Sequence, residues 1–373
     1  MSSFLETYGV AIFTLVLVAI LIAFAGPLWI KIKNATTDKV CQTEQIGKDE
    51  ITVATGGTVE PAEAVDKVYC IYYDDGETTI SQNEIEPEAG RTVVKKGFYE
   101  RPSDCASEMT TARFVGAVKP KNCEYWFLLC KKLTEIKNIQ NLYTNECTNM
   151  GSMFCNCENL ISLDVSGFDT SKVTKMSFMF SSCRNLTSLD VNGFNTGNVT
   201  AMKSMFYGCQ NLISLDLSGW NTEKVTTMRS MFHTCTNLTS LDVSGWNTGN
   251  VTSMFDMFAC CQKLTNLNIN GLDTSKVESM YQMFYGCQNL ISLDLSKWNT
   301  GNAAYMSEMF NKCSSLTSLD LSGWNTSKVE SMNSMFAGCN NLKSITASQT
   351  VKDKILNTES NTNVPSSVTW IIK

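Results

Sequence analysis

The stretch MFYGCQNLISLDLS occurs twice without a single difference, at Met205–Ser218 and again at Met283–Ser296. A catalytic motif is normally written once, so a verbatim echo points to architecture rather than chemistry. The copies start seventy-eight residues apart, three times twenty-six, and the twenty-six-residue period runs through most of the chain. Cysteines fall at Cys157, Cys183, Cys209, Cys235, Cys261, Cys287, Cys313 and Cys339, each three residues after the Phe of a Met-Phe pair. One leucine column follows from Leu160 to Leu342, and a second runs from Leu163 to Leu319 with Ile345 closing it. WFLLC at Trp126–Cys130, with Leu133 and Ile136 behind it, is a degenerate first copy set back by twenty-seven residues.

The apolar period changes inside each unit. In ISLDVS (Ile161–Ser166) the residues Ser162, Asp164 and Ser166 alternate with Leu163 and Val165, the two-residue period of a strand with one face buried. Gly167 then turns the chain. Beyond it Val173, Met176, Met179, Phe180 and Cys183 recur at a spacing that predicts a short helix with one apolar face. The intervening Asp169-Thr170, Asn195-Thr196, Asn247-Thr248 and Asn325-Thr326 pairs suit a turn or a helix start, because short polar side chains bond nearby backbone. A unit of this length has too little core to fold alone; stacked units merge their columns into one core and need covered ends. The expected fold is a curved α/β solenoid of strand-turn-helix units, its strands on the inner face about 4.8 Å apart and its helical segments outside.

LxxLxLxx at Leu160–Phe168 resembles the leucine-rich-repeat strand motif, with Phe or Trp where the usual repeat has a buried Asn. The preceding MFxxCxNL resembles the FxxCxxL signature of BspA-like bacterial surface repeats of the twenty-six-residue variety. The likeness covers about residues 122–345 in eight in-register copies. It implies a leucine-rich-repeat-like horseshoe displayed on a bacterial surface, in adhesion or partner binding; it does not imply one conserved ligand or any catalytic site.

Composition points the same way. The one histidine, His233, stands where other repeats carry Ser181, Tyr207, Ala259, Tyr285, Asn311 and Ala337, a freely varying position read as solvent-facing. One histidine leaves little room for nucleophile–base triads or catalytic zinc sets, and no GxGxxG, GxxxxGK[ST] or HExxH occurs. The chain is therefore expected to be no enzyme, with no cofactor or metal. A net charge of -6 and pI near 5.1 argue against nucleic acid, which favours a basic face.

Residues 1–33 contain the uncharged run Tyr8–Ile30, long enough to cross a hydrocarbon core of about 30 Å; a retained single-pass anchor is the expectation, with a cleaved signal peptide ending near Ala23-Phe24-Ala25 as the rival. Lys31 and Lys33 after the run favour a cytoplasmic C-terminus, but long domains translocate despite such a bias, and the resemblance favours extracellular display. Residues 34–60 read as a polar linker. Residues 61–121 read as a small β-rich cap, with KVYCIYYDDGETTI (Lys67–Ile80) as two strands about an Asp-Gly turn and RTVVKKGFYE and TARFVGAV as further strands. Residues 346–373 read as a C-terminal cap, a short helix at VKDKILN and a final strand.

The register cysteines and the Met176-to-Met332 column are expected as core side chains. Two columns remain for function. Asp164, Asp190, Asp216, Asp242, Asp294 and Asp320, with Asn268 in the gap and Ser214, Ser240 and Ser292 beside them, are expected on the solvent face of the strands as a candidate binding face. Phe168, Phe194, Trp220, Trp246, Leu272, Trp298 and Trp324 form either a buried spine or an exposed stacking ridge; Leu272 favours burial, since a stacking platform does not tolerate Leu. The expected role is protein or glycan binding through the concave face, the alternative a structural stalk without a ligand.

Overall fold

A coil can satisfy its backbone internally, as a helix does, or by giving its N–H groups to its neighbour. In a computed structural model, which describes residues 63–357 and 361–373, the MFxxC segment does the second. In the first copy of the quoted stretch, Ser204, Phe206 and Gly208 donate to the carbonyls of Arg229, Met231 and His233 in the next coil, at 2.9, 3.0 and 2.8 Å. The alternate residues Met205, Tyr207 and Cys209 donate three residues back, to Met202, Ser204 and Phe206. The expected helix is therefore absent, and its place is taken by a chain of tight turns that hydrogen-bond sideways from coil to coil.

The local conformation shows why. Two positions in each coil have positive φ: one holds Ser152, Phe178, Ser204, Ser230, Asp256, Gln282, Glu308 and Ser334, and the other Asn156, Ser182, Gly208, Thr234, Cys260, Gly286, Lys312 and Gly338. Each is the third residue of an i→i+3 turn, where a type II turn demands φ > 0. The Gly of MFYGC, with φ of 71° at Gly208 and 68° at Gly286, thus marks a left-handed turn position, not helix. The apolar spacing of three that suggested a helix is the spacing of successive turns, and it still places Val173, Met176, Met179, Phe180 and Cys183 in the core.

Parallel bridges tie these turn segments together from Asn149↔Lys175 to Tyr305↔Ser331, one per coil. On the other side of each coil run short parallel strands: β6 (Ser240–Asp242) with β7 (Asn266–Asn268), and β8 (Ser292–Asp294), β9 (Ser318–Asp320), β10 (Ser344–Ala347) and β11 (Thr369–Ile372) in one four-stranded sheet. Register is kept to the residue, Leu241 opposite Leu267 and Leu293 opposite Leu319. In the earlier coils, including ISLDVS, the alternation of burial persists but no strand is assigned. The result is a solenoid of stacked coils made of strands and turns, with very little helix.

Before the coils lies a five-stranded sheet, ordered β3-β1-β2-β4-β5, of β1 (Val68–Tyr73), β2 (Glu77–Ser81), β3 (Val93–Tyr99), β4 (Thr111–Phe114) and β5 (Glu135–Lys137). β1 and β2 join antiparallel across Asp74, Asp75 and Gly76, where Gly76 has φ of 89° and Glu77 N–H bonds Asp75 Oδ1 at 3.0 Å. β2, β4 and β5 pair in parallel, so this sheet ends on the strand of the degenerate WFLLC coil. A four-residue helix, α1 (Pro102–Cys105), lies between β3 and β4, and after β10 comes α2 (Gln349–Leu356), N-capped by Ser348 Oγ on Val351 N–H at 3.3 Å. Among the described residues no helix is long and apolar enough to cross a membrane. The expected anchor and linker, residues 1–33 and 34–60, lie outside the described residues.

The columns fill the interior. Phe127, Phe154, Phe180, Phe206, Phe232, Phe258, Phe284, Phe310 and Phe336 stack with centroids 5.4–5.8 Å apart and planes within 16° of parallel. Each register thiol donates to the Phe carbonyl of the preceding coil, from Cys157 to Phe127 at 3.2 Å to Cys339 to Phe310 at 3.0 Å. Burial pushes these thiols up, to about 12 for Cys209, Cys287 and Cys339, so they remain protonated donors. The Asn-Thr pairs start no helix: Asn247 Oδ1 accepts from Gly249 N–H, and buried Thr248 Oγ1 donates to Asp273 O in the next coil at 2.9 Å.

One repeat position separates close packing from free space. A Cβ on Gly271 would lie 1.7 Å from the Ser244 carbonyl oxygen, whereas one on Gly245 would meet nothing within 4 Å. Gly271→Ala is expected to cost about 3 kcal/mol by forcing backbone apart, while Gly245→Ala stays within about 0.5 kcal/mol of the parent. Chemical unfolding of the two variants checks this; equal midpoints would refute the close approach at Gly271.

Candidate functional site

Asp-x-Ser in the strand column is first a local device. Asp164, Asp216, Asp242 and Asp294 each accept through Oδ1 from the N–H and the hydroxyl of the Ser two residues on, with N–H bonds of 2.9–3.0 Å and hydroxyl bonds of 2.6–2.7 Å. Asp190 accepts from Asn192 N–H, and Asp320 from Ser322 N–H. Each carboxylate thereby closes the Asx turn that ends its strand. Among the described residues the second oxygen has a partner at two of these positions: Asp242 Oδ2 accepts from Asn268 Nδ2 at 3.0 Å, and Asp320 Oδ2 from Lys373 Nζ at 3.2 Å.

These bonds stabilise the charged form. The Ser hydroxyl, then the Ser N–H, hold Asp164, Asp216, Asp242 and Asp294 below the usual carboxylate range. At Asp320 burial, the largest influence, pushes the other way and is outweighed by Ser322 and Lys373. Asn268 in the gap interrupts the row of like charges and bridges to Asp242, relieving the repulsion expected at strand spacing.

Asp164, Asp190, Asp216, Asp242 and Asp294 are exposed, Asp320 is half-buried, and Ser214, Ser240 and Ser292 are exposed beside them. The strand face carries two shallow depressions. One, of about 630 Å³, runs from Asp216 across Asp242 and Asn268 to Asp294; the other, of about 340 Å³, lies between Asp294, Asp320 and Thr346. The structure thus brings Asp216, Asp242 and Asp294 together in the larger polar trough and joins Asp294 to Asp320 in the smaller, while Asp164 and Asp190 line neither. Trp220, Trp246, Trp298 and Trp324 do not join them. They are buried with Phe168, Phe194 and Leu272, Trp220 stacks on Trp246 at 6.2 Å, and Trp220 Nε1 donates to Val191 O at 3.0 Å. They are core.

Two features escaped the sequence reading. Lys172, Asn198, Lys224, Asn250, Lys276, Asn302 and Lys328 form one alternating column in which Lys224, Lys276 and Lys328 donate to the Asn of the preceding coil at 2.7–2.8 Å. Asn198, Asn250 and Asn302 donate in turn to backbone carbonyls of the coil before. A fifty-two-residue comparison of TGNV with TSKV and TEKV would have shown it. The alternation separates ammonium groups by two coils. The second feature is His233, which is not solvent-facing: its side chain is 22% exposed, its ring lies 5.0 Å from that of Tyr207, and Nδ1 faces Asp256 Oδ2 at 3.5 Å. Burial lowers its pKa, but Asp256 and Cys260 outweigh that and bring it to about 9. Among the described residues no cluster of His, Cys, Asp or Glu has the geometry to hold a metal ion.

Taken together, this is a repeat solenoid in which each coil is completed by the next. Residues 121–239, 189–293 and 261–364 match the family described as "Mycoplasma protein of unknown function, DUF285", and the chain belongs to that family. The match bears out the kinship with bacterial repeats of this length. No curated protein matches the sequence. Among solved structures the chain is similar to a leucine-rich repeat protein from Eubacterium ventriosum, at 14% identity over 83% of each chain and a TM-score of 0.37. It is also similar to a chain of the TLR13–ssRNA13 complex, at 17% identity, covering 65% of this chain and 40% of that one with a TM-score of 0.25. The third is a chain of the Drosophila Toll–Spatzle complex, at 14% identity over 71% of this chain and 44% of that one, with a TM-score of 0.22.

The carboxylate bonds set a pH dependence. A folded pKa below the unfolded value of about 3.9 means stability is fully present above that value and is lost as pH falls through the folded one. The urea midpoint is expected to drop as pH falls below about 4, and less in a variant with Asp164, Asp242 and Asp294 changed to Asn. The same drop in both proteins would show that these bonds do not favour the charged form.

Proposed function

We propose that this chain is a membrane-anchored bacterial surface protein whose solenoid binds an extracellular protein or glycan through the Asp-bearing strand face. The observation that carries the proposal is the polar trough from Asp216 to Asp294, where core and turn bonding account for Oδ1 and leave Oδ2 of Asp216 and Asp294 pointing at no described donor. A row of exposed carboxylates flanked by Ser hydroxyls is suited to basic side chains or to the hydroxyls of a sugar. Such a groove requires many weak contacts in register, which a repeated column supplies. Anchoring rests on the apolar run Tyr8–Ile30 and display on the resemblance of the MFxxCxNL repeats.

The second reading is a spacer without a ligand. It is favoured by the Asx turns themselves, which give every aspartate of the column a structural reason to be there.

Asp→Asn separates the two, because Asn keeps the turn acceptor and removes the charge. For D216N/D242N/D294N, saturable binding to a protein and glycan array is expected to fall at least about tenfold, a loss of roughly 1.4 kcal/mol, with an unchanged circular dichroism spectrum. Undiminished binding would remove the strand face from consideration. No saturable ligand for the parent chain would favour the spacer.

A further inference from the structure

The coils depart from their own pattern at Ala303, Ala304 and Tyr305. Val173, Val199, Val225, Val251, Val277 and Val329 hold the first of these positions in other coils, and Thr or Glu holds the second. The third is otherwise small or polar, with Ser253, Ser279 and Ser331 in the nearest coils. Two consecutive positions thus lose bulk, and the next gains a ring.

The turn side of the solenoid has a depression of about 500 Å³ at this place, away from the strand trough. That volume falls within the range of small-molecule sites, about 300–1,000 Å³. Asn302, Ala304 and Tyr305 line it with Lys276 and Glu278 of the coil before and Lys328 of the coil after. Tyr305 is 49% exposed. Among the described residues its ring stacks on no other, whereas Phe255 and Tyr281 nearby stack on each other at 5.0 Å. The Glu330 carboxylate beside the Tyr305 hydroxyl raises the phenol's pKa, a contact with the edge of the ring and not its faces. Neither core packing nor the bridge to Ser331, which Ser279 and Ser253 make equally well one coil apart, asks for an aromatic residue here.

The polar groups around the ring are fixed in place. Lys328 Nζ donates to Asn302 Oδ1 at 2.7 Å, Lys276 Nζ to Asn250 Oδ1 at 2.8 Å, and Asn302 Nδ2 to the Ser275 carbonyl at 2.6 Å. Each ammonium uses one of its three donors in this way. The others can meet a ligand without the cost of ordering a free lysine. The two ammonium groups stand two coils apart, about 10 Å, and Glu278 adds an acceptor. An exposed ring flanked by charged donors and a carboxylate is suited to a sugar, whose C–H face packs on an aromatic surface while its hydroxyls take charge-assisted hydrogen bonds.

We propose that this depression is a subsite for one hexose ring of a glycan. Tyr305 stacks on the C–H face, Lys276 and Lys328 donate to hydroxyls, Glu278 accepts from one, and Asn302 positions Lys328. The Lys–Asn ladder recurs along the solenoid, but Tyr305 is the one aromatic residue in its column, so the repeats carry a single subsite. It lies on the turn side and does not depend on the strand-face reading above.

The probes are tetrasaccharides of glucose, galactose and mannose, titrated calorimetrically into the full chain. At least one is expected to bind saturably with one site per chain. Tyr305→Ser installs the residue of the adjacent coils and so preserves the fold; it is expected to lower the affinity at least about tenfold. Tyr305→Phe keeps the ring and holds the affinity within about threefold of the parent. Lys276→Gln combined with Lys328→Gln falls between, and Tyr143→Ser, at an exposed ring outside the depression, changes nothing. No saturable binding of any of the three sugars, or an affinity unchanged in Tyr305→Ser, overturns the proposal. Tyr305-dependent binding of an acidic peptide in place of the sugars assigns the depression to a protein partner and overturns it as well.

Discussion

The sideways gift of alternate N–H groups to the next coil governs this structure. A helix would close its own hydrogen bonds and leave its neighbours to meet through side chains alone. Here Phe206 and Gly208 are satisfied only by Met231 and His233, so no coil is complete without the one after it. Because the donor and acceptor spacing is fixed, coil length is fixed too, and a constant twenty-six residues follows. The same constraint makes the terminal coils a problem: on the turn side Ser334 and Phe336 of the last coil donate to the Asn361 and Thr362 carbonyls, and Trp126 O of the first accepts from Ser103 N–H, while on the strand side the parallel β2-β4-β5 ladder and β11 on β10 cover the two ends.

Once the backbone is held at this spacing, the columns are selected for stacking on themselves. Phe rings at 5.4–5.8 Å lie parallel because a translation of one coil maps each ring onto the next. The Phe carbonyl accepts twice, from the Cys N–H of its own coil and from the thiol of the following one, as Phe180 does from Cys183 and Cys209. That second bond explains why the position is Cys and not Ala: a weak donor is needed in a site from which water is excluded, and a thiol loses less on burial than a hydroxyl.

The stacked architecture was legible because period is a property of sequence. So were the strand alternation at Leu163 and Val165 and the burial of the Trp column, since Leu272 in place of Trp fits a slot and not a platform. The turn ladder was hidden by coincidence, for apolar residues three apart look alike on a helix and on successive turns. What distinguishes them is backbone sign, visible only indirectly in Gly208, Gly286 and Gly338 and masked by Ser182, Thr234 and Lys312 in the same column. The Asp column lies on the outside, and Asp-x-Ser already spells the local bonding of carboxylate to serine that the structure shows at Asp164 and Asp216.

Repetition also changes what counts as a signal. A residue that recurs in every coil is explained by whatever each coil needs, as Asp-x-Ser and Asn-Thr are by the turns they close. The residues that need a separate explanation are those that break the column, and a single break is ordinary drift. His233 stands in a column that varies freely, with Ser181, Tyr207, Ala259, Tyr285, Asn311 and Ala337 in other coils. What it meets is set by the offset that the lateral hydrogen bonds impose: His233 O accepts from Gly208 N–H, and Thr234 N–H donates to Ala259 O. The ladder that makes the coils alike is therefore also what sets His233 between Tyr207 of the coil before, rings 5.0 Å apart, and Asp256 of the coil after, at 3.5 Å.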